Sequence, residues 1–371
     1  MDKWTGAFEG QCTGCAACAN ICKMNAIEMV RDEKGFVYPY VNKDICIDCG
    51  ACVKVCKACR ERAEHSSVCR TVYAMRSRNE EVRLRSTSGG IFSELACCIL
   101  ERKGGICGAV YRDDWSVGHD IIWNSGDLEK VRRSKYQQSN IELQFRKVKE
   151  ALDERKEILF CGTPCQAAGL KAFLGKDYDN LFVCDFICRG VSSPKIFAKY
   201  IEDLRNRFAS DIKYVWMKNK CNGWHSLTTV IGFENGAEYR REGMNDSYVR
   251  LYLKYNVGVR ESCYACGFKG NKSAADITLG DFWGLDNTEL DDNKGTSAVI
   301  CRTEKGTGLL AEISGNVVGQ KMRLEDIQKG NPCLDNSLGK GDTDMKKFYD
   351  VLEKEGYQQA LKWIAVNADE Q

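Results

Sequence analysis

Histidine is scarce in this sequence: His65, His119 and His225 are the three in 371 residues. A metal site rich in imidazole, or a catalytic triad built on histidine, therefore has little material to draw on. An excess of charge of one sign is also lacking, because 54 basic residues face 52 acidic ones and the formal net charge is +2. This balance argues against a nucleic-acid partner, which a strongly basic surface would recognise.

Long apolar runs are missing as well. No stretch approaches the roughly 18 apolar residues that a membrane-spanning helix needs. The best candidate, residues 91–100, is interrupted by Glu94. The first six residues, M-D-K-W-T-G, contain no apolar core of a secretory signal. We therefore expect a cytoplasmic protein without a membrane span.

Cysteine, by contrast, is abundant: the chain has 22, and nine of them fall within the first 60 residues. Without an export signal, such a sequence is better interpreted as a metal or redox protein than as a disulfide scaffold. The length of 371 residues suggests two to three domains.

An internal repeat organises the amino-terminal cysteines. Residues 12–22 and 46–56 each follow the pattern C-x2-C-x2-C-x3-C, which indicates a duplicated cluster-binding unit. In this spacing three thiolates bind one [4Fe–4S] cluster and the fourth reaches the other cluster. One predicted ligand set is Cys12, Cys15, Cys18 and Cys56, and the other is Cys46, Cys49, Cys52 and Cys22.

Zinc is the simpler alternative for clustered cysteines. A zinc site uses four ligands in two pairs, so it has no use for the third and fourth cysteines of each repeat. The segment resembles bacterial-type dicluster ferredoxins, with a departure at Lys23 and Lys57, because proline normally follows the fourth cysteine.

Two strand–loop–helix units follow in the main body of the chain. Strands are predicted at 157–161 and 180–187, and helices at 167–174 and 194–208. This alternation predicts a mainly parallel sheet whose strand-to-helix loops share one edge. Cys165 and Cys188 lie in these loops, and Cys263 and Cys266 form a further close pair. One interpretation is that all four thiols bind a third [4Fe–4S] cluster. The other is that Cys165 and Cys188 are small buried apolar residues, and that Cys263 and Cys266 form half of a zinc site.

Two further candidates have an ordinary structural explanation beside the functional one. Ser88, Gly89 and Gly90 precede a predicted helix, where backbone N–H groups would bind a phosphate or simply form a turn. Asp281 follows a predicted strand within 276–284, and is either a functional carboxylate or a turn cap.

Residues 345–366 are predicted to form an amphipathic helix that packs on the body.

Several motifs of the body occur in an order that resembles one known family. They are S-T-S-G-G (86–90), S-K-Y-Q-Q-S (134–139), G-T-P-C-Q (162–166), C-R-G-V-S-S-P (188–194), R-E-S-C-Y-A-C (260–266) and D-I-T-L-G-D-F-W-G (276–284). The sequence is similar to the coenzyme F420 hydrogenase/dehydrogenase beta-subunit family, which includes 7-hydroxymethyl chlorophyll a reductase. The similarity covers roughly residues 70–310. It departs from the pattern at Arg189, where relatives commonly carry histidine.

This resemblance implies an FAD-dependent iron–sulfur oxidoreductase. It implies a third cluster on Cys165, Cys188, Cys263 and Cys266, and flavin contacts from Ser88, Gly89 and Gly90. Lys135 and Arg260 are cations within the motifs that would hold an acidic substrate or the FAD pyrophosphate, with a structural role as the alternative. Lys135 and Asp281 are the predicted catalytic residues.

The predicted function is electron transfer between [4Fe–4S] clusters and an organic substrate through FAD, the substrate being coenzyme F420 or another hydride acceptor. The alternative is an electron-transfer subunit of a larger complex with no turnover of its own. A redox partner protein at the level of ferredoxin is expected, and the sequence leaves open whether the chain forms a homo-oligomer.

The predicted fold is of the α+β or α/β class and has four parts. They are a dicluster ferredoxin-type domain (1–60), a connector (61–85), an α/β flavin-binding iron–sulfur domain with mainly parallel strands (86–330), and a C-terminal helical segment (331–371).

Overall fold

The structure is a computed structural model that describes residues 10–56, 71–285 and 289–368. The predicted connector is therefore described only from Thr71 onward, and the division into domains stays a prediction. We call residues 10–56 the amino-terminal segment and residues 71–368 the body.

The amino-terminal segment consists of two short helices and one hairpin. Its elements are α1 (Ala17–Ile21), β1 (Ile27–Arg31), β2 (Val37–Val41) and α2 (Ala51–Val55). The hairpin strands β1 and β2 are antiparallel. Each helix follows directly on a left-handed residue, Ala16 or Gly50, that turns the cysteine loop into the helix. The local backbone thus repeats as the sequence does.

An eight-stranded sheet forms the centre of the body, in the order β13-β3-β12-β11-β7-β6-β4-β5. The bounds of its strands are β3 (Thr71–Ser77), β4 (Gly105–Tyr111), β5 (Val117–Ile122), β6 (Ile158–Cys161), β7 (Leu181–Phe186), β11 (Ile277–Asp281), β12 (Ser297–Cys301) and β13 (Val317–Met322).

The expectation of mainly parallel strands is wrong for this sheet. Only the central neighbours β4–β6, β6–β7 and β7–β11 pair in parallel. The four outer pairings are antiparallel. For β4 and β5 the physical reason is connection length: β5 returns from β4 through a tight turn, which only antiparallel strands can use, whereas parallel neighbours need a crossover helix.

Helices cover both faces of the sheet. On one face, α4 and α10 bury apolar residues, including Ile91, Leu95 and Leu309, against the strands. On the other face, α6 and α7 contribute Phe145 and Leu170 to a cluster that also takes in Ala16 and Ala17 of the amino-terminal segment. This side of the molecule therefore has three layers: sheet, helix pair and amino-terminal segment. The helices of the body are α3 (Glu80–Arg85), α4 (Ile91–Glu101), α5 (Leu128–Val131), α6 (Gln144–Asp153), α7 (Pro164–Leu174), α8 (Pro194–Phe208), α9 (Ser247–Leu253), α10 (Glu304–Glu312), α11 (Leu324–Gly330), α12 (Met345–Lys354) and α13 (Tyr357–Asn367).

A smaller antiparallel sheet carries the C-terminal helices. Its strands β8 (Ile212–Asn219), β9 (Thr228–Phe233) and β10 (Glu238–Glu242) pair in the order β10-β9-β8. Helices α8, α12 and α13 pack on it through a cluster that includes Leu204, Phe348 and Ile364. The single helix expected over 345–366 is in fact two, separated at Gly356, whose positive φ of 87° a regular helix does not accept.

None of the helices in the described ranges combines the length and apolar character that crossing a membrane requires.

Candidate redox centres

Cys12, Cys15, Cys18 and Cys56, which we call the first thiol group, lie close enough to act on one another electrostatically. Burial raises the pKa of Cys15 to about 11, and repulsion from Cys12 and Cys56 adds to this rise. Burial likewise raises the pKa of Cys18, with further contributions from the other three thiols. A group of four thiolates that repel one another in a buried site is suited to a cationic iron–sulfur core, which would offset part of their negative charge.

The second thiol group consists of Cys46, Cys49, Cys52 and Cys22. Burial raises the pKa of Cys52, and Cys49 and Cys22 add smaller effects of the same sign. Cys22 therefore lies with the opposite repeat, as the crossed ligand sets of the sequence require. This group lies nearer the surface than the first, since Cys49 is exposed whereas Cys18 is buried.

The backbone conformation of the first cysteine loop, at Gly14, is suited to binding a cluster. Gly14 has a φ of +69°, and a Cβ there would lie 2.6 Å from Nε2 of Gln138 and 3.1 Å from the carbonyl oxygen of Val37. Positive φ and close approach together require glycine at this position. Small residues of this kind let backbone N–H groups point at cluster sulfurs.

Cys165, Cys188, Cys263 and Cys266 form the third thiol group. Cys165 lies in the first turn of α7, directly beyond β6, and Cys188 follows β7, the strand that pairs with β6. Burial raises the pKa of Cys165 to about 12, and repulsion from Cys266 and Cys263 adds to it. Burial also raises the pKa of Cys188, whose neighbours include Cys263, Cys165 and Cys266. Cys165 and Cys188 thus lie at one end of the sheet, with Cys263 and Cys266 beside them, whereas the sequence alone left a structural explanation of these thiols open.

A pocket of about 610 Å³, its open mouth included, lies at the third thiol group and is lined by all four of its cysteines. Cys333, which the sequence analysis did not single out, lines the same pocket. Lys269 donates to the carbonyl oxygens of Cys188 and Cys333, at 2.7 and 2.8 Å. The described ranges contain no group of three or more His, Cys, Asp or Glu side chains arranged to hold a single metal ion.

The first and third thiol groups are neighbours. The Cys15 thiol contributes to the raised pKa of Cys165. Gly169, one turn after Cys165 on α7, also contacts Cys15, because a Cβ built on Gly169 would lie 3.0 Å from Sγ of Cys15. Thr13, between two cysteines of the first group, lines the pocket of the third.

The loop with Ser88, Gly89 and Gly90 lies at the opposite end of β12 from Cys301. Oγ of Ser88 donates to the carbonyl of Thr296 at 2.7 Å, and the Gly89 amide donates to Ser297 at 2.9 Å. Gly90, with a φ of +92°, is the residue from which α4 begins. The amide of Ser134 donates to Thr87 Oγ1 at 3.1 Å, so this loop lies against the 134–139 motif.

Lys135 and Asp281, the predicted catalytic residues, approach this loop from two other motifs. Nζ of Lys135 donates to the carbonyl of Arg132 at 2.8 Å, and burial lowers its pKa to about 7. Asp281 ends β11 and accepts a hydrogen bond from Lys218 at 2.8 Å. We call the 86–90 loop, together with Lys135, Asp281, Lys218 and Lys220, the motif site.

Two lysines of this site were missed by the sequence analysis. Lys218 lies over the rings of Tyr136 and Trp283, at 5.5 and 5.9 Å from their centroids. Lys220 donates to the carbonyls of Arg83, Ser88 and Lys294, and thereby fixes the 86–90 loop. Burial lowers the pKa of Lys220 to about 7. The available signal was their spacing of two residues at the end of a strand, which places both on one face.

Arg260, predicted to contact the flavin, lies elsewhere. It is fully buried, and Nε donates to the carbonyl of Cys12 at 2.8 Å. Nη1 donates to Gln138 at 2.7 Å and Nη2 to the carbonyl of Val37 at 3.0 Å. Its guanidinium thus faces the amino-terminal segment, and a contact between Arg260 and a flavin stays a prediction.

Comparison with known proteins gives two matches to families. Residues 155–327 match the family described as coenzyme F420 hydrogenase/dehydrogenase, C terminus of the beta subunit. Residues 11–58 match the 4Fe-4S dicluster domain.

Individual relatives are more distant. The chain is 23% identical over 171 residues to a subunit of the F(420)H(2) dehydrogenase of Methanosarcina mazei, a match that spans 42% of this chain and 46% of that protein. The chain therefore spans about half the length of this curated relative. A structure of the F420-reducing [NiFe] hydrogenase complex from Methanosarcina barkeri, derivatised with xenon, is similar with a TM-score of 0.49 and 20% identity, over 80% of this chain and 91% of that one.

The resemblance inferred from the motifs is therefore confirmed: residues 155–327 match the coenzyme F420 hydrogenase/dehydrogenase beta-subunit family, and they lie behind a segment that matches the 4Fe-4S dicluster domain.

Proposed function

We propose that this protein is an iron–sulfur flavoprotein oxidoreductase that passes electrons between three [4Fe–4S] clusters and an organic substrate through FAD. The clusters would be held by the first, second and third thiol groups, and FAD by the motif site. The proposed substrate class is a hydride acceptor or donor such as coenzyme F420, in keeping with the name of the matching family.

The observation that carries this proposal is the continuity of the candidate redox centres. The first thiol group adjoins the third through Cys15 and Gly169. From the third, Tyr252 donates to the carbonyl of Gly190 at 2.7 Å and packs against Tyr136, 5.6 Å between ring centroids. Tyr136 lies beneath Lys218 of the motif site. Packed contacts thus extend from the dicluster domain to the site proposed for the flavin.

Polar groups next to the motif site are available for a cofactor. Within the described ranges, Oη of Tyr111 and Nε1 of Trp216 and Trp224 are buried without a hydrogen-bond partner. Lys135 lies over the ring of Tyr111, Arg133 over that of Trp216, and Trp224 stacks on Trp283. Buried polar groups without partners are costly, and a bound ligand would relieve that cost. FAD, once bound, exchanges a hydride with organic partners and single electrons with clusters.

Charged side chains of the motif site suit proton and anion handling. With a pKa near 7, Lys135 would hold or release a proton at neutral pH, as a general acid or base must. Asp281 would keep Lys218 charged and oriented, because a buried ammonium without a partner is strongly disfavoured. A cation so placed would attract an acidic substrate.

Cofactor stoichiometry on anaerobically purified protein tests the proposal. We expect about twelve irons and one FAD per chain, since each cubane holds four irons. The Cys263→Ser variant should retain about eight irons because one centre loses a ligand, whereas Cys221→Ser, at an exposed thiol outside the three groups, should keep all twelve. Eight irons without flavin in the unaltered protein would favour a plain electron carrier, and zinc in place of iron would overturn both functions.

A second function is favoured by the Methanosarcina mazei relative, which is itself a dehydrogenase subunit. In that case the same centres would serve a subunit without turnover of its own. Reduction of coenzyme F420 by the isolated protein with an artificial electron donor distinguishes the two. Turnover supports the enzyme, whereas activity that appears only with a partner protein supports the subunit.

A further inference from the structure

Arg260 lies between two of the candidate redox centres. Its side chain donates to two carbonyls of the dicluster domain, those of Cys12 and Val37, and its guanidinium lies 4.2 Å from the ring centroid of Tyr38. All of these belong to the dicluster domain, yet Arg260 itself follows β10 and α9 of the body.

The main chain of Arg260 belongs to the third thiol group. Its amide donates to the carbonyl of Val191, three residues after Cys188, at 3.1 Å. Its carbonyl accepts a hydrogen bond from the amide of Cys263 at 2.9 Å. One residue is therefore bonded to the carbonyl of a cysteine in the first group and to the amide of a cysteine in the third.

Gln138 completes this arrangement. Its Oε1 accepts from Arg260, while its Nε2 donates to the carbonyl of Thr13 at 3.0 Å and its amide donates to Ser192 at 3.0 Å. The fit is tight, because a Cβ on Gly14 would lie 2.6 Å from Nε2 of Gln138 and 3.1 Å from Nη1 of Arg260. The first cysteine loop is thus held on the body by two side chains.

The complete burial of the Arg260 side chain calls for a physical explanation. Removing a guanidinium from water is costly unless its N–H groups are paired, and a packed apolar side chain would often be as stable. The planar fork of arginine can bond several acceptors in a fixed geometry, which an apolar side chain or lysine cannot do. Its charge is also placed to attract the negative charge of thiolate-ligated clusters on both sides.

We propose that Arg260 and Gln138 are positioning residues that hold the Cys12–Cys15 loop against the third thiol group, so that electrons cross between the dicluster domain and the body through the first thiol group. This inference rests on the proposed function, and it gives Arg260 a role different from the flavin contact expected from its motif. The transfer is of one electron, supplied by the redox partner; one centre is oxidised, the other reduced, and no bond forms or breaks.

The test compares variants of the complete, anaerobically purified protein by electron paramagnetic resonance and amide hydrogen exchange. In the unaltered protein, reduction should give spin coupling between the first and third centres. Arg260→Lys keeps the charge but loses the fork, so coupling should weaken and amides 12–15 should exchange at least about tenfold faster. Arg260→Met also loses the positive charge, so the reduction potentials of both centres should fall in this variant. In Arg260→Lys, which keeps the charge, the potentials should stay close to those of the unaltered protein.

Two further variants keep the test decisive. Gln138→Leu should loosen the same amides and weaken the coupling, and it carries the test if the Arg260 variants fail to fold. Arg189→Lys is the matched control, because Arg189 adjoins Cys188 but bonds to Tyr252, Leu253 and Asn256 of the body. It should leave exchange at 12–15 unchanged.

The outcomes separate this inference from the proposed function. Eight irons in the unaltered protein would contradict the third cluster and, with it, the route. Twelve irons, with coupling and exchange at 12–15 unaltered in both Arg260→Lys and Gln138→Leu, would overturn the role of the two residues while leaving the proposed function standing.

Discussion

His119 illustrates how a single buried residue is tied to its surroundings. It is 1% exposed, and its ring stacks on Phe160 with 5.5 Å between centroids. Nε2 lies 3.0 Å from the carbonyl oxygen of Cys161, which can only accept, so this nitrogen carries the proton. Nδ1, 2.6 Å from Oγ of Ser139, is then the acceptor. The arrangement suits a neutral imidazole.

We predict that this histidine makes stability depend on pH. Burial lowers the pKa of His119 to about 4 from 6.5. Between these values the unfolded chain binds the proton and the folded one does not, so the free energy of unfolding falls as the pH falls. From pH 7.5 to 5.5 the loss is about 1.4 kcal/mol. Urea denaturation under argon measures it, and His119→Gln should lack this component; equal slopes in both proteins would contradict the assignment.

The candidate site was predictable where its residues share a short motif. The thiols of the first two groups are spaced by two or three residues, so local backbone geometry nearly fixes them. Arg260 and Lys218 were harder. The partners of Arg260 are Cys12, Gln138 and Val37, and that of Lys218 is Asp281. Such contacts depend on which strands become neighbours, and a single sequence does not state that.

At the scale of elements, helix boundaries followed from capping residues. Helix α8 runs over Pro194–Phe208 as predicted, with Ser193 accepting from the amide of Ile196. Helix α7 begins at a capping box between Thr163 and Gln166, three residues before the predicted start. The order of the strands was not predictable. β3 lies between β12 and β13, because pairing across the sheet, rather than any local signal, decides its place.

Helix α10 contains two glycines whose replacement should have opposite effects. Gly308 has open space around it, so Gly308→Ala should stabilise the protein by about 0.5–1 kcal/mol through helix propensity alone. Gly306 packs on the backbone of Asp276, where a Cβ would lie 2.3 Å from the carbonyl oxygen. Gly306→Ala should therefore destabilise by about 1–3 kcal/mol. Denaturation midpoints of the two variants provide the measurement, and stabilisation by both would contradict the contact.

At the scale of the whole molecule, two of the contacts that attach the dicluster domain to the body are made by arginine side chains. One is the contact of Arg260 and Gln138 with the first cysteine loop. The other is Arg146 of α6, which donates to the carbonyls of Asn20 at 2.7 Å and Cys22 at 2.6 Å. It also reaches Oδ1 of Asn25 at 2.7 Å. A cation at the end of α1 satisfies carbonyls that the helix leaves unpaired.

Removing this second attachment should loosen one end of the dicluster domain. In Arg146→Met we expect the amides of Asn20, Asn25 and Ala26 to exchange about tenfold faster or more, because several hydrogen bonds to a charged donor are lost. Lys147→Met, at the exposed neighbour on the same helix, is the control and should leave these amides as they are. Exchange measured by mass spectrometry decides, and identical rates in both variants would show that Arg146 does not hold the domain.

The position of β3 has a consequence for synthesis of the protein on the ribosome. β3 follows the dicluster domain in the chain, yet Met75 pairs with Ser297 and Ser77 with Val317, far towards the other terminus. The strand must therefore wait for its neighbours, and contacts this distant in sequence form late. All eight cysteines of the first two thiol groups have emerged by then, whereas Arg260, Cys263 and Cys266 come much later. The order of synthesis would therefore allow iron to enter the dicluster domain on the nascent chain, before the surface of the body that receives this domain has formed.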